Sequence, residues 1–308
     1  MRSMNTLVSA QPKITAIDAR RCPLCDGVGG VLPRRFHQLY SQAGAEPAVL
    51  SWSGCRQCRG WFADPMPSSE QIAKHWQEID YADVDNADSI GAGKVALFSR
   101  VLDGLAQRIS PGALLDIGCN FGRFLTLAQD HGWTPIGVEP NPQAAKCCTN
   151  AGFDVRSDWD LQECGFADQQ FAAVTAIDVF CYSRHPFSDL VAYRRLLQPG
   201  GVLAMRLTNK HAAIRVLGPL MNSHQRDAAI SRLLLGQFHS ATPGTIRHWL
   251  GKAGFVDISI HGRAMAGPWS EAPWRSRLAY GGAELLRVLT LGTINLSPGI
   301  LVFARRPL

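Results

Sequence analysis

The chain has 308 residues, a length that suits one large domain or two smaller ones. Hydrophobic residues make up 46% of it and charged residues 18%, which excludes a chain that is disordered throughout. The sequence contains no apolar run long enough to span a membrane and no signal-peptide core, so we expect a cytoplasmic protein.

The net charge of +6 is unevenly distributed, because residues 200–308 carry 13 lysines and arginines against four acidic residues. A basic region of this kind suits an anionic small molecule, an acidic membrane surface or a nucleic acid. A solvated basic face without a partner is the alternative.

The N-terminal part contains four cysteines arranged in two Cys-x-x-Cys pairs, Cys22 with Cys25 and Cys55 with Cys58. Four thiolates in this pattern can close a tetrahedral zinc site with no open position, so we predict a structural zinc module over residues 20–67. A redox motif needs only one pair, and the odd total of nine cysteines argues against a disulfide framework. The long spacing between the pairs predicts a ribbon with an inserted loop. A site in which His37 replaces one cysteine is a weaker alternative.

From residue 93 onward short apolar strands alternate with amphipathic helices, which predicts a parallel sheet with helices on both faces. We predict strands over residues 113–117, 134–138, 153–156, 172–177, 202–207, 255–260 and 300–304. The domain of residues 93–308 also contains two stretches, 208–240 and 262–298, that we expect to be helical insertions covering a substrate site.

The first predicted strand runs into a glycine-containing turn that precedes a helix. Gly118 and Gly122 allow the backbone to approach a ligand, and the helix N-terminus offers unpaired N–H groups. Glu139 ends the next strand, where a carboxylate can accept both hydroxyls of a ribose. Dinucleotides and S-adenosylmethionine both suit such a site. Asp116 favours the second, because an anion there would repel a diphosphate and suit the ammonium of a methionine.

Residues 116–122, Asp-Ile-Gly-Cys-Asn-Phe-Gly, resemble motif I of the class I S-adenosylmethionine-dependent methyltransferases, commonly D-x-G-C-G-x-G. Residues 171–177 resemble the F-D-x-V motif of the fourth strand, although Ala172 replaces the acid. Residues 196–203 match the L-L-x-P-G-G-x-L turn of the family. The resemblance implies a Rossmann-like, seven-stranded, mostly parallel sheet with S-adenosylmethionine as cofactor. The cysteine pairs, followed by residues 60–67, resemble the N-terminal zinc modules of sugar and small-molecule methyltransferases.

The resemblance also implies roles for single residues. Asp116, Gly118 and Asn120 would line the methionine end of the donor, and Glu139 would hold its ribose. Asp178 would stand beside the donor at the end of the fourth strand. The full set predicted to bind the cofactor is Asp116, Gly118, Cys119, Asn120, Gly122, Glu139, Pro140, Asp158, Trp159 and Asp178, of which Asp158 or Trp159 would flank the adenine.

The catalytic base of the family cannot be carried over. Many relatives have Glu-His after the fourth strand, where this chain has Cys181 and Tyr182, and His185 stands where Asp is usual. We predict His185 as the first candidate base, because histidine titrates near neutral pH, and Tyr182 as the second. His211 and His239 are weaker candidates, and a loop histidine bonded only to backbone is the alternative for His185.

The leading functional hypothesis is methyl transfer to a small-molecule, sugar, glycan or lipid-linked acceptor, with the basic C-terminal third favouring an anionic one. A nucleic-acid-binding protein or nucleic-acid methyltransferase is an alternative, although no aromatic-basic stripe supports it. A protein that binds S-adenosylmethionine without turnover is another. The apolar helical pattern at residues 278–296 predicts either a lid packed on the core or a helix at a membrane surface.

Overall fold

The computed structural model describes residues 21–28, 31–40, 48–64, 94–158, 160–209, 237–262, 274–290 and 295–308, with a few single residues between these ranges. The strands in chain order are β1 (Val31–Tyr40), β2 (Ala48–Cys55), β3 (Trp61–Asp64), β4 (Ala113–Ile117), β5 (Thr134–Val138), β6 (Asp154–Arg156), β7 (Phe171–Ile177), β8 (Leu197–Thr208), β9 (His239–Ser240), β10 (Val256–His261) and β11 (Gly299–Arg305). The helices are α1 (Val95–Ala106), α2 (Arg123–Asp130), α3 (Pro142–Asn150), α4 (Pro186–Leu196), α5 (Pro243–Lys252) and α6 (Trp274–Leu289).

The larger sheet has seven strands in the order β10-β11-β8-β7-β4-β5-β6. The strands from β8 to β6 are all parallel, and β11 is antiparallel to both of its neighbours. Apolar side chains of α1 and α2 cover one face, while those of α4 and α5 cover the other. The predicted seven-stranded, mostly parallel sheet with helices on both faces is therefore confirmed.

Two helices begin at residues whose side chains cap them. The Asn141 side chain accepts hydrogen bonds from two N–H groups of the first turn of α3, and the Thr242 hydroxyl accepts one from Thr245 in α5. Proline follows each cap at the first helical position, where its missing N–H costs no hydrogen bond. The first of these caps also contacts the predicted site, since the Asn141 N–H donates to Glu139.

The N-terminal module is a small antiparallel sheet in the order β1-β2-β3-β9. Its β1–β2 hairpin lies between the two cysteine pairs, in a stretch whose sequence has little periodicity and where we predicted an inserted loop. The fourth strand, β9, comes from far along the chain, where Phe62 pairs with His239. The module therefore shares a sheet and a core with the second domain.

Two predicted helical insertions differ from the structure where it describes them. The stretch 208–240 lies mostly outside the described residues, and its end forms the strand β9 instead of a helix. The apolar pattern predicted a helix over residues 278–296. In the structure the helix α6 begins earlier, at Trp274, and also ends earlier, at Leu289. Among the described residues, no helix is both long and apolar enough to cross a membrane.

Candidate active site and metal centre

The turn after β4 is built from three residues with left-handed backbone conformation. Gly118, Asn120 and Gly122 have φ of 74°, 51° and 79°. At Gly118 the requirement is also one of space, since a Cβ there would lie 2.4 Å from Cγ1 of Val179. The sequence thus places glycine where the chain after β7 passes closest to the turn.

Each backbone N–H from Gly118 to Gly122 has a partner within the protein. The N–H groups of Gly118 and Cys119 donate to the Val138 carbonyl at 2.8 and 3.1 Å, and that of Gly122 donates to the Cys119 carbonyl at 3.0 Å. The Asn120 N–H donates to Oε2 of Glu139, and the next N–H donates to the Asn120 side chain. A pyrophosphate is usually cradled by free N–H groups of such a turn, and here these five are engaged.

Glu139 is held in one orientation by both of its oxygens. Oε2 accepts the Asn120 N–H at 2.8 Å and Oε1 accepts the Asn141 N–H at 2.9 Å. Burial raises the pKa of Glu139 while these two hydrogen bonds lower it in part. A carboxylate has about four acceptor positions, so the fixed group retains capacity for two hydroxyls of a ribose.

Asp116 lies inside the sheet at the carboxyl end of β4. Its Oδ1 accepts a hydrogen bond of 2.6 Å from the hydroxyl of Thr175 in β7. Burial raises the pKa of Asp116 to about 7, with the Thr175 hydrogen bond lowering it and the Glu139 charge raising it. The hydrogen bond ties the end of β4 to β7 just before the turn. The sequence motifs did not reveal Thr175 as the partner of Asp116.

The other residues predicted to bind S-adenosylmethionine differ in their exposure to solvent. The Cys119 side chain is buried and packs in one cluster with Leu125 and Cys148. Pro140 is buried beside Glu139. Asp158 is exposed after β6, where Oδ1 accepts the N–H of Asp160 at 2.9 Å. Trp159 lies outside the described residues.

Asp178 directly follows β7, has a φ of 63° and lies between two cations. Nζ of Lys94 is 2.9 Å from its Oδ2, and the Arg206 guanidinium contacts its Oδ1. Burial alone would raise the pKa of Asp178, but Arg206 and Lys94 together hold it below its ordinary value. The carboxylate is thus ionised and paired. Neither cation was predicted from the sequence, since each comes from a segment without a family motif.

The two leading candidate bases follow Asp178 in the chain. Tyr182 ends a 3-10 helix over Phe180–Tyr182 and packs edge-on against Phe238. His185 is exposed at the N-cap of α4, where burial and the Arg184 charge lower its pKa. A lowered pKa leaves His185 neutral at pH 7 and able to accept a proton.

The weaker candidate His239 is a structural residue. It is buried in β9, its Nε2 lies 2.6 Å from the Phe180 carbonyl, and its ring meets those of Phe180 and Trp249 edge-on. Burial lowers its pKa to about 4, so it stays neutral and donates to that carbonyl. His211 lies outside the described residues.

One partly buried carboxyl was missed in the sequence. Asp189 in α4 accepts a short hydrogen bond from the Ser183 hydroxyl, and burial raises its pKa to about 6. The pair lines a small cavity with Ile117 and Val179, beneath the chain that follows β7. Ser183 and Asp189 therefore brace the loop that carries both candidate bases.

The four predicted metal ligands come together. The sulfurs of Cys22, Cys25, Cys55 and Cys58 are buried and lie within 4.8 Å of one another, with 3.9 Å between those of Cys25 and Cys55. Zinc–sulfur bonds of about 2.3 Å in a tetrahedron require sulfurs ~3.8 Å apart, so the spacing fits a zinc ion.

The two Cys-x-x-Cys turns have the same backbone hydrogen bond and the same left-handed residue. The N–H of Cys22 donates to the Gly27 carbonyl and that of Cys55 to the Gly60 carbonyl, both at 2.9 Å. The residue before each glycine has a positive φ, 54° in the first turn and 60° in the second. This repeat, a glycine two residues after the second cysteine of each pair, is visible in the sequence and was overlooked.

A sequence profile described as a methyltransferase domain matches residues 93–260, just over half of the chain. The chain belongs to this methyltransferase family. The five parallel strands β4 to β8, the turn after β4 and Glu139 all lie within the matched range, and the fold is that of S-adenosylmethionine-dependent methyltransferases. A comparison with curated protein sequences finds no significant match.

Solved structures resemble this methyltransferase in fold at low identity. The phosphoethanolamine N-methyltransferase 2 of Haemonchus contortus, solved with phosphomonomethylethanolamine and S-adenosylhomocysteine, is 14% identical with a TM-score of 0.52, over 79% of this chain and 61% of that one. The [4+2]-cyclase SpnF is 18% identical with a TM-score of 0.50, over 79% of this chain and 98% of that one. Because the same fold occurs in a cyclase, fold alone does not define the reaction.

Proposed function

We propose that this methyltransferase takes its methyl group from S-adenosylmethionine bound at the turn after β4 and transfers it to a small-molecule, sugar, glycan or lipid-linked acceptor. The observation that carries the donor assignment is the engaged set of N–H groups from Gly118 to Gly122, flanked by the carboxyls of Asp116 and Glu139. Such a turn repels a diphosphate and suits a ligand with a cationic end and a ribose.

In this proposal Glu139 accepts the ribose hydroxyls, and Asp116 with the turn faces the methionine end. Methyl transfer is an in-line displacement, so the protein must align acceptor and sulfonium and exclude water. His185 or Tyr182 removes a proton if the acceptor is a hydroxyl or a carbon acid. When bound, the donor supplies the electrophilic methyl group.

Calorimetry tests the donor proposal directly. We expect heat from S-adenosylhomocysteine and none from NAD or NADH, and the reverse result would refute the proposal. Incubation with labelled S-adenosylmethionine and fractions of a cell extract then identifies the labelled product. That experiment distinguishes small-molecule, glycan and lipid-linked acceptors, and labelled RNA would support the nucleic-acid alternative instead.

We further propose that the four cysteines bind a structural zinc ion. The module is tied to the rest of the protein by β9, by Lys252, whose ammonium donates to the Cys25 carbonyl, and by Trp249, which packs on Gly60. Through β9 it also contacts the backbone of the loop after β7, since the Phe238 N–H donates to the Cys181 carbonyl at 2.9 Å. Zinc in small modules contributes about 10 kcal/mol or more to folding.

Metal analysis tests the zinc proposal. We expect one zinc per chain in the purified protein and a large loss of metal in Cys58→Ser. Cys147→Ser is the matched control, because Cys147 lies on α3, outside the cysteine cluster. Full occupancy by zinc in Cys58→Ser would contradict the four-cysteine site.

The outer face of α6 supports a second proposal, a contact with a membrane surface. Trp274, Leu278, Leu285, Val288 and Leu289 are between 56% and 72% exposed. On the same helix Tyr280 and Ala283 are buried. A helix with an apolar outer face in a basic part of the chain matches an acidic lipid surface.

Sedimentation with vesicles tests the membrane proposal. We expect the protein to bind vesicles of phosphatidylcholine with phosphatidylglycerol, and the double variant Leu285→Ser/Leu289→Ser to lose most of that binding. Val191→Ser is the control, because Val191 is an exposed apolar residue of α4. Equal binding by the double variant and the control would exclude α6 as the contact.

A further inference from the structure

The chain at the start of β9 binds the N-terminal module and the loop after β7 at the same time. Phe238, directly before β9, donates its N–H to the Cys181 carbonyl at 2.9 Å and accepts the Ala63 N–H of β3 at 2.8 Å. The next residue, His239, lies in the ladder between β3 and β9, and its Nε2 donates to the Phe180 carbonyl at 2.6 Å. Two consecutive residues therefore each connect the module to the loop.

The loop of residues 178–185, which carries both candidate bases, contains one 3-10 turn. Residues Phe180–Tyr182 form this turn, and the Ser183 N–H closes it by donating to the Phe180 carbonyl at 3.0 Å. The hydrogen-bond geometry of a 3-10 turn is poorer than that of an α-helix, so the position of a short one depends on its neighbours. The His239 side chain binds the same Phe180 carbonyl, and the two rings meet edge-on. His239 therefore holds the turn at whose end Tyr182 lies.

A second connection reaches the other end of the loop. The ammonium of Lys252, at the end of α5, donates to the carbonyl of Cys25 in the cysteine cluster. The same ammonium lies 5.0 Å from the centre of the Phe187 ring in α4, within the range of about 6 Å over which a cation is attracted to an aromatic face. Phe187 follows His185 by two residues. The stretch that contains Tyr182 and His185 is thus connected to the module on both sides.

The start of the loop lies against the donor turn. Val179 packs over Gly118, where it leaves no space for a Cβ. The turn itself is held by the large sheet, since the N–H groups of Gly118 and Cys119 donate to the Val138 carbonyl in β5. The donor turn and the loop are therefore neighbours that are anchored to different parts of the molecule.

We propose that the N-terminal module positions the loop of residues 178–185 for catalysis. His239 and Lys252 are the positioning residues, the first acting through the Phe180 carbonyl and the second through the Phe187 ring. A general base must lie within hydrogen-bond reach of the proton that it removes, so a loop held on both sides keeps the candidate bases in place. The inference rests on the proposed methyl transfer, in which this loop supplies the group that removes a proton.

Hydrogen exchange of the full-length protein tests the connection through β9. The amides of Tyr182 and Ser183 report on the loop and those of Gly118 and Cys119 on the donor turn, since each donates a backbone hydrogen bond. We expect His239→Leu to speed exchange in the loop about tenfold, the loss of a buried hydrogen bond, and to change the donor turn less than threefold. His239→Gln, which keeps a side-chain N–H donor, should restore slow exchange.

Two further variants test the connection through Lys252 and the module itself. Lys252→Met loses the ammonium, so we expect exchange a few-fold faster at Asp189, whose N–H donates to the His185 carbonyl at 3.0 Å. Lys146→Met is the matched control, because Lys146 is exposed on α3, and equal exchange in these two variants overturns the second connection. Cys58→Ser disrupts the cysteine cluster and should loosen the loop as well.

Each result bears on the proposal in one way. Faster loop exchange in His239→Leu and Cys58→Ser, with S-adenosylhomocysteine affinity unchanged and recovery in His239→Gln, supports it. Unchanged loop exchange in His239→Leu, or equal acceleration in the loop and the donor turn, overturns it. If Cys58→Ser does not fold, the comparison of His239→Leu with His239→Gln decides. Failure of the wild type to bind S-adenosylhomocysteine overturns the proposed donor site instead, and it is distinguishable because the exchange measurements need no ligand.

Discussion

The donor side and the acceptor side of the site are built in opposite ways. The donor side is one continuous stretch from Asp116 to Asn141, and its contacts are mostly made by backbone. The proposed acceptor side, meaning the cluster of Lys94, Asp178 and Arg206 beside the turn, gathers side chains from before α1, after β7 and from β8, which are far apart in the sequence. A site made by local chain geometry therefore lies next to a site made by long-range packing.

The two sides also differ in charge. Asp116 and Glu139 supply two carboxyl groups to the donor side, whereas the cluster beside it pairs one carboxylate, Asp178, with the two cations Lys94 and Arg206. In the proposed reaction the carboxyl groups suit the sulfonium of the donor.

The largest expected effect concerns His185, the first candidate for the group that removes a proton from the acceptor. We expect His185→Ala to lower turnover by about 100-fold or more, the usual contribution of a general base, and to leave S-adenosylhomocysteine affinity unchanged. Methyl transfer from labelled donor to the active extract fraction measures turnover. His248→Ala is the control, because His248 is exposed on α5. Turnover close to that of the wild type would remove His185 from consideration.

A second prediction uses the raised pKa of Asp116 on the donor side. Its pKa of about 7 in the folded protein exceeds the ordinary value of 3.8, so folding takes up a proton between these values. The carboxyl therefore favours the folded state at low pH, and this stabilisation is lost as the pH rises from about 4 to 7. The total change is up to about 4 kcal/mol.

Urea unfolding between pH 5 and pH 8 measures this change. We expect Asp116→Asn to lose less stability than the wild type as the pH rises, while the control Asp130→Asn, at the exposed end of α2, follows the wild type. Parallel curves for the wild type and Asp116→Asn would show that the carboxyl does not titrate in this range. Asp116 would then keep one protonation state over the whole range.

The third prediction tests Glu139 on the donor side. The Glu139→Gln change removes the charge and leaves one of the two backbone N–H groups facing the amide N–H of the glutamine. We expect S-adenosylhomocysteine to bind about 10- to 100-fold more weakly, the loss of a hydrogen bond to a charged group. Calorimetry measures the affinity, and Glu163→Gln is the control at an exposed site. Unchanged affinity in Glu139→Gln would exclude Glu139 from the donor site.

The same division explains what the sequence could predict. The strands, the turn at Gly118, the carboxylate at Glu139 and the four cysteines follow from patterns within a few residues or from paired motifs. Lys94 and Arg206 could not be found, because their meeting at Asp178 depends on the register of β7 and β8 and on the start of α1. The strand β9 was missed for the same reason, since it exists only by pairing with β3.

The smallest expected effect concerns Asn141. It tests whether the orientation of Glu139 depends on the side-chain cap of α3 or only on the backbone N–H of Asn141. The Asn141 side chain caps α3 by accepting two N–H groups, whereas its own N–H holds Glu139. Asn141→Ala removes the cap and keeps that N–H, so we expect the free energy of unfolding to fall by about 1 kcal/mol and S-adenosylhomocysteine affinity to change less than threefold. Asn141→Asp, which retains the cap, should recover the stability. If Asn141→Ala instead weakens the ligand as much as Glu139→Gln does, the cap itself orients Glu139, and the donor side, like the acceptor side, depends on its side chains.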